Sequence, residues 1–352
     1  MRTVRILTKA YIRITVAAIL MASLIALSLL EFGSTPIRSA ICRSIYPEYA
    51  SKTVYTTDLA PSINASSLMA HFLAIREGRA VSSSIVPGEI IHQSWKAQDV
   101  PPVYHSLVTS WRSAYSKWTY VLWDNGDNRA LVETFYPEWL KAYEALPSDI
   151  YRAHFTRSLY MYTFGGIYAD IDSEAVSPLD TLVKAQRFTG APTAFLGTME
   201  TSSHKLHGIP NAFMAASAPG HPLWLIAAQD AVDWARARSW DHSVPAPGPE
   251  YISGSVSLRR SIINYSPSVL RSPVGAENNA FHPTSNEAIA PVVLFSPEVI
   301  YPFAWDRPRP HVLTAAQECV CWMALSTFNP ERCKQMTGAR WVVHYWKRNW
   351  KL

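Results

Sequence analysis

The stretch GGIYADID, residues 165–172, decides the fold of this chain. Its apolar part, residues 167–171, predicts a buried strand with two carboxylates, Asp170 and Asp172, at its end. Because side chains on a strand alternate between faces, residues two apart are expected to lean the same way. Two carboxylates on one face repel each other unless a cation lies beside them, and a hard divalent ion with oxygen ligands suits that place. The pair therefore indicates a metal site that could also hold a substrate phosphate.

The residues before this stretch predict a helix over Asp149–Thr163. Apolar side chains recur there at helical spacing: Tyr151, Phe155, Leu159 and Tyr162. Ser148 is a suitable N-cap, and Gly165 or Gly166 a suitable C-cap. An Asp-x-Asp pair alone arises by chance in long chains. A helix, a Gly-Gly turn, a buried strand and an acidic pair in succession form a much more specific pattern.

The remaining elements alternate between strand and helix patterns, which predicts an α/β fold. Strand patterns lie at residues 87–95, 120–124 and 292–295, and helical patterns at 66–77, 104–115, 127–143 and 223–237. Pro137 is expected to break the helix at 127–143. A Gly-rich dinucleotide fingerprint is absent from the sequence, so a nicotinamide enzyme is not expected.

Composition bounds the possible functions. The chain has 352 residues, of which 48% are hydrophobic and 17% charged, so it can bury a large core in one or two domains. The net charge of +5 is mild, and the sequence has no basic stripe interleaved with aromatics. Nucleic acid is therefore not an expected partner.

The first residues predict a membrane anchor. Residues 1–13 are basic, and residues 14–30 carry no charge, which predicts a cytosolic tail followed by a single transmembrane span. Residues 31–84 are then expected to form a luminal stem, and residues 85–352 the catalytic domain. The alternative is a signal peptide cleaved after Ala40.

Cysteines and sequons fit a luminal chain. Cys319 and Cys321 are too close to bridge each other, and either could form a local disulfide with Cys333, although free buried thiols remain an alternative. Two glycosylation sequons begin at Asn64 and Asn264.

The combined motif resembles that of family-32 glycosyltransferases, the fungal Golgi mannosyltransferase group. It reads Arg152-Ala153-His154-x-x-Arg157 and continues into residues 165–172. His154 stands where the family has Asp, which leaves the donor sugar open. The resemblance implies a nucleotide-sugar-binding fold of the GT-A type: a mixed, mainly parallel sheet with helices on both faces, preceded by an N-terminal transmembrane anchor.

The resemblance also implies roles for individual residues. A metal site is expected from Asp170, Asp172 and the C-terminal His344, and Mn²⁺ fits such oxygen-rich ligation with one histidine. Arg157 is expected to bind hydroxyls or phosphate of the donor. Further donor-binding residues are expected: His92, Gln93, Trp95, Arg152, His154 and Asn211.

Structural alternatives stand beside these roles. His92 could be a hydrogen-bonded core histidine, and Asn211 a turn cap. Arg152 and Arg157 could form salt bridges on the helix surface, and His344 could pack at a strand end.

The expected function is a retaining, metal-dependent glycosyltransferase that moves a hexose, mannose from GDP-mannose first, to a glycan or glycolipid acceptor in the Golgi. Within this class, a mannosyl-inositolphosphorylceramide synthase subunit or a UDP-sugar enzyme is an alternative. A decayed, lectin-like sugar-nucleotide binder is a second class, and His154 would mark the decay. A phosphoester hydrolase would need further metal ligands near Asp170, which the sequence does not offer.

Overall fold

The computed structural model describes residues 35–46, 58–81, 84–179, 191–199, 208–237, 246–267, 290–303 and 312–347. Across these ranges no helix is both long and apolar enough to cross a membrane. The predicted span at residues 14–30 lies outside them. The chain divides into two compact units: a larger one with residues 53–307, 338–344 and 348–352, and a smaller one with residues 1–52, 308–337 and 345–347.

The larger unit is built on a seven-stranded sheet. The strands in chain order are β1 Ser62–Ile63, β2 Ile90–Ser94, β3 Thr119–Trp123, β4 Gly166–Ala169, β5 Ser173–Ala175, β6 Ala194–Gly197, β7 Phe213–Ala216, β8 Val292–Phe295 and β9 Val342–His344. The sheet order is β1-β3-β2-β4-β7-β6-β8, and β5 and β9 form a separate antiparallel pair. Only the two pairs that involve β7 are antiparallel within the large sheet. The predicted mixed, mainly parallel sheet is confirmed.

The helices match the predicted alternation. In chain order they are α1 Thr35–Ile45, α2 Ala65–Arg76, α3 His105–Ala114, α4 Asn125–Phe135, α5 Leu140–Glu144, α6 Asp149–Thr163, α7 Pro222–Ala237, α8 Pro249–Ile252, α9 Ser255–Tyr265, α10 Pro297–Ile300, α11 Val312–Cys321 and α12 Pro330–Thr337. Short 3-10 turns at Pro102–Tyr104 and Pro137–Trp139 precede α3 and α5. The break predicted at Pro137 is confirmed.

Helices cover both faces of the sheet. In the sheet, β3 lies on one side of β2 and β4 on the other. α3 connects β2 to β3, and α4 to α6 connect β3 to β4, so the two connections cross the sheet in opposite directions. Right-handed crossovers therefore place α3 on the face opposite α4 and α6. Contacts agree, because α2, α4 and α6 pack together whereas α3 packs on β5. Burial on both faces explains why Ile167 and Tyr168, successive residues of β4, are both buried.

Part of the predicted stem belongs to this folded unit. β1 pairs in parallel with β3, and α2 buries Leu68 and Phe72 in the main core, where the Phe72 ring meets the edge of Phe164 at 4.9 Å. The predicted boundary at residue 85 is therefore too late, since a two-residue strand leaves no periodic signal in the sequence.

Two glycines make the turn from α6 into β4. Gly165 and Gly166 have φ values of +67° and +93°, which L side chains rarely adopt. A Cβ on Gly166 would also lie 2.1 Å from the Ile90 carbonyl oxygen in β2. The close approach of β4 to β2 therefore requires glycine at residue 166.

The smaller unit is held by two disulfides. Cys321 bonds to Cys333, as one of the predicted local pairings, and Cys42 in α1 bonds to Cys319 in α11 across 277 residues. All four cysteines are fully buried, and none is free. The long-range bond was not predicted, because no local spacing indicates it.

Candidate metal centre

The two carboxylates of the acidic pair come together through a turn. β4 ends at Ala169, and the backbone N–H of Ser173 donates to the Asp170 carbonyl oxygen at 3.1 Å. The expected reason, alternation along a continuous strand, is therefore wrong, since Asp170 and Asp172 follow the strand. The turn also directs the chain into β5, whose pairing with β9 places Ser173 opposite His344.

His344 completes a cluster of three potential metal ligands. Its Nε2 lies 3.2 Å from Asp172 Oδ1 and 3.5 Å from Asp170 Oδ2. One ligand atom from each of the three residues lies within 4.8 Å of the others. The structure therefore brings together all three residues expected at the metal site.

Charges in this cluster are strongly coupled. Burial alone would lower the pKa of His344, but the charge of Asp172 and hydrogen bonding to both carboxylates raise it to about 9. Burial would raise the pKa of the Asp170 carboxyl, yet the Arg157 charge and hydrogen bonding with His344 and Tyr168 lower it to about 2. Asp170 is therefore ionised at neutral pH, as a metal ligand must be.

Arg157 joins the cluster from α6. Its Nη2 lies 2.7 Å from Asp170 Oδ1, and its Nη1 donates to the Asn211 carbonyl oxygen at 3.0 Å. The guanidinium carbon lies 4.7 Å from the centre of the Tyr168 ring, and the Tyr168 hydroxyl donates to Asp170 Oδ1 at 2.6 Å. Burial opposes the charge of Arg157, but Asp170 raises the pKa of the guanidinium. Arg157 is a buried partner of the acidic pair, so a helix-surface salt bridge does not describe it.

Three consecutive carbonyl oxygens, in residues 210–212, tie the site together. The Pro210 oxygen accepts a hydrogen bond from the Tyr301 hydroxyl at 3.4 Å. The Asn211 oxygen accepts from Arg157 Nη1 at 3.0 Å, and the Ala212 oxygen from the Asp170 backbone N–H at 2.9 Å. One short segment before β7 thus contacts three separate parts of the site. Sequence reasoning missed Tyr168 and Tyr301, although Tyr168 lies within the acidic motif.

Several buried polar atoms next to Arg157 lack a hydrogen-bond partner among the described residues. They are Arg157 Nε, Asn211 Nδ2 and His154 Nδ1. Buried polar groups are nearly always satisfied in native proteins, so such a group calls for an explanation. Arg157 and Asn211 can only donate from these atoms, so a ligand rich in oxygen acceptors would satisfy them.

His154 is buried and neutral. Burial and the charge of Arg157, one turn away on α6, lower the pKa of His154 to about 3. Its Nδ1 faces Gly254, where a Cβ would lie only 2.9 Å away. The imidazole thus puts an uncharged group beside Arg157, and a side chain at residue 254 would crowd it.

His92 does not reach the site as a ligand-binding residue. It is fully buried, its Nε2 donates to the Gly165 carbonyl oxygen at 3.0 Å, and its Nδ1 accepts from Trp123 Nε1 at 3.1 Å. Both ring nitrogens are therefore occupied. The expectation that His92 contacts the donor is corrected, and the core-histidine alternative describes this residue.

Gln93 and Trp95 also serve local structure. The Gln93 amide accepts from the Tyr120 hydroxyl at 3.1 Å and lies 3.5 Å from the Asp170 carbonyl oxygen. Trp95 is half-buried, and its ring lies 5.2 Å from that of Tyr104. Gln93 therefore contacts the backbone of Asp170. The described contacts of Trp95 do not connect it to Asp170 or Asp172.

Arg152 is directed away from the acidic pair. It binds Asp149 Oδ1 at 2.7 Å and donates to the carbonyl oxygens of Glu144 and Leu146. These contacts fix the start of α6 and match the salt-bridge alternative, whereas donor binding by Arg152 stays a prediction.

The donor set suits a divalent ion. Two carboxylates and one imidazole nitrogen would hold Mn²⁺, for which oxygen ligands with a histidine are favourable. The orphaned donors beside Arg157 lie next to this set, where they could meet oxygens of a bound substrate.

Comparison with known proteins agrees with this geometry. Residues 101–189 match the family described as the glycosyltransferase sugar-binding region containing the DXD motif. The resemblance to glycosyltransferases is confirmed. The matched DXD region contains Arg157, Asp170 and Asp172, whereas Asn211 and His344 lie beyond it.

Curated relatives that match part of this chain include fungal mannosyltransferases. Inositol phosphoceramide mannosyltransferase 3 of Schizosaccharomyces pombe is 35% identical over 101 residues, which cover 29% of this chain and 28% of that protein. The initiation-specific alpha-1,6-mannosyltransferase of Candida albicans is 29% identical over 97 residues, covering 26% of this chain and 25% of that protein. The matches to the first two curated relatives each span less than a third of those proteins.

Among solved structures, the PaToxG glycosyltransferase superposes with a TM-score of 0.36 and 15% identity, covering 58% of this chain and 77% of that chain. That likeness is too slight to support an argument about fold.

Proposed function

We propose that this protein is a metal-dependent glycosyltransferase that moves a hexose from a nucleotide-sugar donor to a glycan or glycolipid acceptor. One observation carries the proposal: Asp170, Asp172 and His344 converge on one point beside the buried Arg157. The DXD region and the α/β sheet support the same conclusion. We assign the fold to the GT-A type as part of this proposal.

The residues divide the chemistry between them. Asp170, Asp172 and His344 would hold Mn²⁺, which when bound neutralises the negative charge of a diphosphate leaving group. Arg157 Nε and Asn211 Nδ2 offer unpaired donors to sugar hydroxyls or phosphate oxygens. Arg157 keeps its charge in this buried place because Asp170 pairs with it, so it can bind a donor without losing its orientation.

We further propose that the reaction retains the configuration of the transferred sugar. Apart from the metal-site carboxylates, the described contacts of the site present no carboxylate that would act as a nucleophile. In the proposed reaction the leaving phosphate accepts the proton of the attacking hydroxyl on the same face of the sugar.

We propose GDP-mannose as the donor and mannose as the transferred sugar, because curated relatives of this chain are named mannosyltransferases. The names of these relatives include both a sphingolipid enzyme and an alpha-1,6-mannosyltransferase, so both acceptor classes remain within the proposal. We place the enzyme in the Golgi, held by the uncharged segment at residues 14–30.

The second candidate is a decayed binder of sugar nucleotides. It is favoured by the neutral imidazole of His154 next to Arg157, which accepts fewer hydrogen bonds than a carboxylate would. Such a protein would bind a donor without transferring or hydrolysing the sugar.

Calorimetry on the purified chain tests the proposal. GDP-mannose, UDP-galactose and UDP-glucose are titrated with and without Mn²⁺, and donor hydrolysis is followed in parallel. We expect Mn²⁺-dependent binding of GDP-mannose with slow hydrolysis. Binding without hydrolysis or transfer would favour the decayed binder, and a folded protein that binds no nucleotide sugar would refute both.

A further inference from the structure

Tyr301 lies behind His344 and is fully buried. It directly follows α10, which packs on β9. The two rings meet edge to face, with centroids 6.3 Å apart and an interplanar angle of 62°. This contact involves an aromatic residue that the proposed chemistry does not use.

The orientation of the His344 ring depends on contacts from outside its own strand. β9 has three residues, and His344 is the last of them. Backbone pairing with β5 fixes its Cα, but the imidazole can still rotate about its two side-chain torsions. Asp170 and Asp172 approach Nε2, and contacts at one ring atom do not by themselves determine the plane of the ring.

Tyr301 is itself held in place. Gly197 in β6 leaves room for it, because a Cβ there would lie 2.8 Å from Tyr301 Cε2 and 2.8 Å from Ile300 Cβ. The Tyr301 hydroxyl donates to the Pro210 carbonyl oxygen at 3.4 Å. Burial and the nearby Asp170 charge raise the pKa of the phenol well above its usual value, so the ring stays neutral beside the carboxylates.

We propose that Tyr301 is a positioning residue, whose ring packs against the His344 imidazole and holds it in the orientation that lets Nε2 join the Asp170 and Asp172 oxygens around a divalent ion. Partners that orient a histidine ligand commonly change metal affinity by about 10- to 100-fold when removed. The inference rests on the metal site of the proposed function and adds a residue to it.

The test measures binding of Mn²⁺ alone to the metal-free full chain, from the electron paramagnetic resonance signal of free Mn²⁺. Tyr301→Leu removes the ring, and we expect its Mn²⁺ affinity to fall about 10-fold or more. Tyr301→Phe keeps the ring and should stay within about twofold of the wild type, since it loses only the hydrogen bonding of the hydroxyl group. Tyr143→Leu is the matched control, because Tyr143 is equally buried but packs on Phe155 in the helical layer.

Gly197→Ala provides a second route to the same effect. The added methyl group would push on Tyr301 and Ile300 without touching the three ligands, so Mn²⁺ affinity should fall as in Tyr301→Leu. Circular dichroism and urea unfolding without metal identify any variant that fails to fold. If Tyr301→Leu does not fold, Tyr301→Phe and Gly197→Ala decide the question.

The possible outcomes distinguish the positioning role of Tyr301 from the metal site on which that role depends. A folded wild type that binds no Mn²⁺ would refute the metal site and the role of Tyr301 together. Wild-type binding with undiminished affinity in folded Tyr301→Leu, or in folded Gly197→Ala, would refute only the positioning role. A 10-fold loss in Tyr301→Phe would equally contradict it, because the ring edge is intact there.

Discussion

Arg157 and Asp170 form a buried ion pair in which Nη2 and Oδ1 are 2.7 Å apart. The same carboxylate oxygen accepts from the Tyr168 hydroxyl, and the other oxygen faces His344. Asp170 therefore links α6 to the metal site, whereas Asp172 Oδ1 lies 3.2 Å from His344 Nε2 and is not the partner of Arg157 Nη2 in this ion pair. The two aspartates of one motif should consequently respond differently to substitution.

Asp172→Asn should abolish Mn²⁺-dependent donor binding and should lower the free energy of unfolding less than Asp170→Asn does. The substitution removes one anionic metal ligand but does not touch the Arg157 pair. Calorimetry with GDP-mannose and Mn²⁺, beside urea unfolding, measures both effects. Asp99→Asn, at an exposed aspartate, is the control, and Mn²⁺-dependent binding that survives in Asp172→Asn would contradict the assignment.

Arg157→Gln should lower the free energy of unfolding by about 3 kcal/mol, because it leaves the Asp170 carboxylate buried without its partner. Asp170→Asn should also destabilise the protein, since the guanidinium then lacks its counter-charge. The double variant should lose much less stability than the sum of the losses in the two single variants. A double-mutant cycle of urea unfolding measures this difference. Additive losses would mean that the ion pair does not couple the two side chains.

Gly166→Ala should prevent stable folding, whereas Gly220→Ala should cost only about 1 to 2 kcal/mol. Both glycines have positive φ, +93° and +88°, so both variants strain the backbone. A Cβ on Gly166 would collide with the Ile90 carbonyl oxygen, but one on Gly220 would meet no atom within 4 Å. Soluble yield and urea unfolding compare the pair, and equal losses would contradict the steric explanation.

Stability should fall as the pH drops below 6.5 because of three buried histidines. Burial lowers the pKa of His92 and of His154 to about 3 and that of His221 to about 4, from an unfolded value of 6.5. Between these values the unfolded chain binds protons that the folded chain does not, so the stability present above pH 6.5 is lost progressively.

Burial is the main cause of these lowered pKa values, and in His221 hydrogen bonds also occupy both ring nitrogens. His221 Nε2 donates to the Pro291 carbonyl oxygen, and its Nδ1 accepts from the Leu223 backbone N–H. A second ring proton would face another donor. Urea unfolding from pH 7 to pH 4 should show a slope that falls by up to about 1.4 kcal/mol per pH unit in His221→Gln. An unchanged slope would contradict this origin.

Local patterns in the sequence were sufficient for α6, β4 and the glycine turn between them. α6 spans the predicted residues because its apolar stripe packs on the core and Gly165 ends it with a positive φ. The end of β4 was placed too late, since residues 170–172 turn where alternation predicted a continuing strand. The pair was thus identified correctly, although the reason for its convergence differs.

Contacts between distant residues could not be read from any local pattern. Arg157 meets the Asn211 backbone, and His344 meets Asp172, only because the sheet brings these segments together. His344 entered the prediction through the family resemblance alone. The same resemblance misplaced His92, because an apolar strand pattern does not show whether a polar side chain points into the core or into a cleft.

The bond between Cys42 and Cys319 has a consequence for the order of biosynthesis. α1 is made early, yet its covalent partner is 277 residues away. The ribosome must therefore translate every strand of the large sheet, through β8, before Cys42 in α1 can form its disulfide. Until then Cys42 must not pair with another thiol, so oxidation can complete the smaller unit only after Cys319 and Cys333 have been translated.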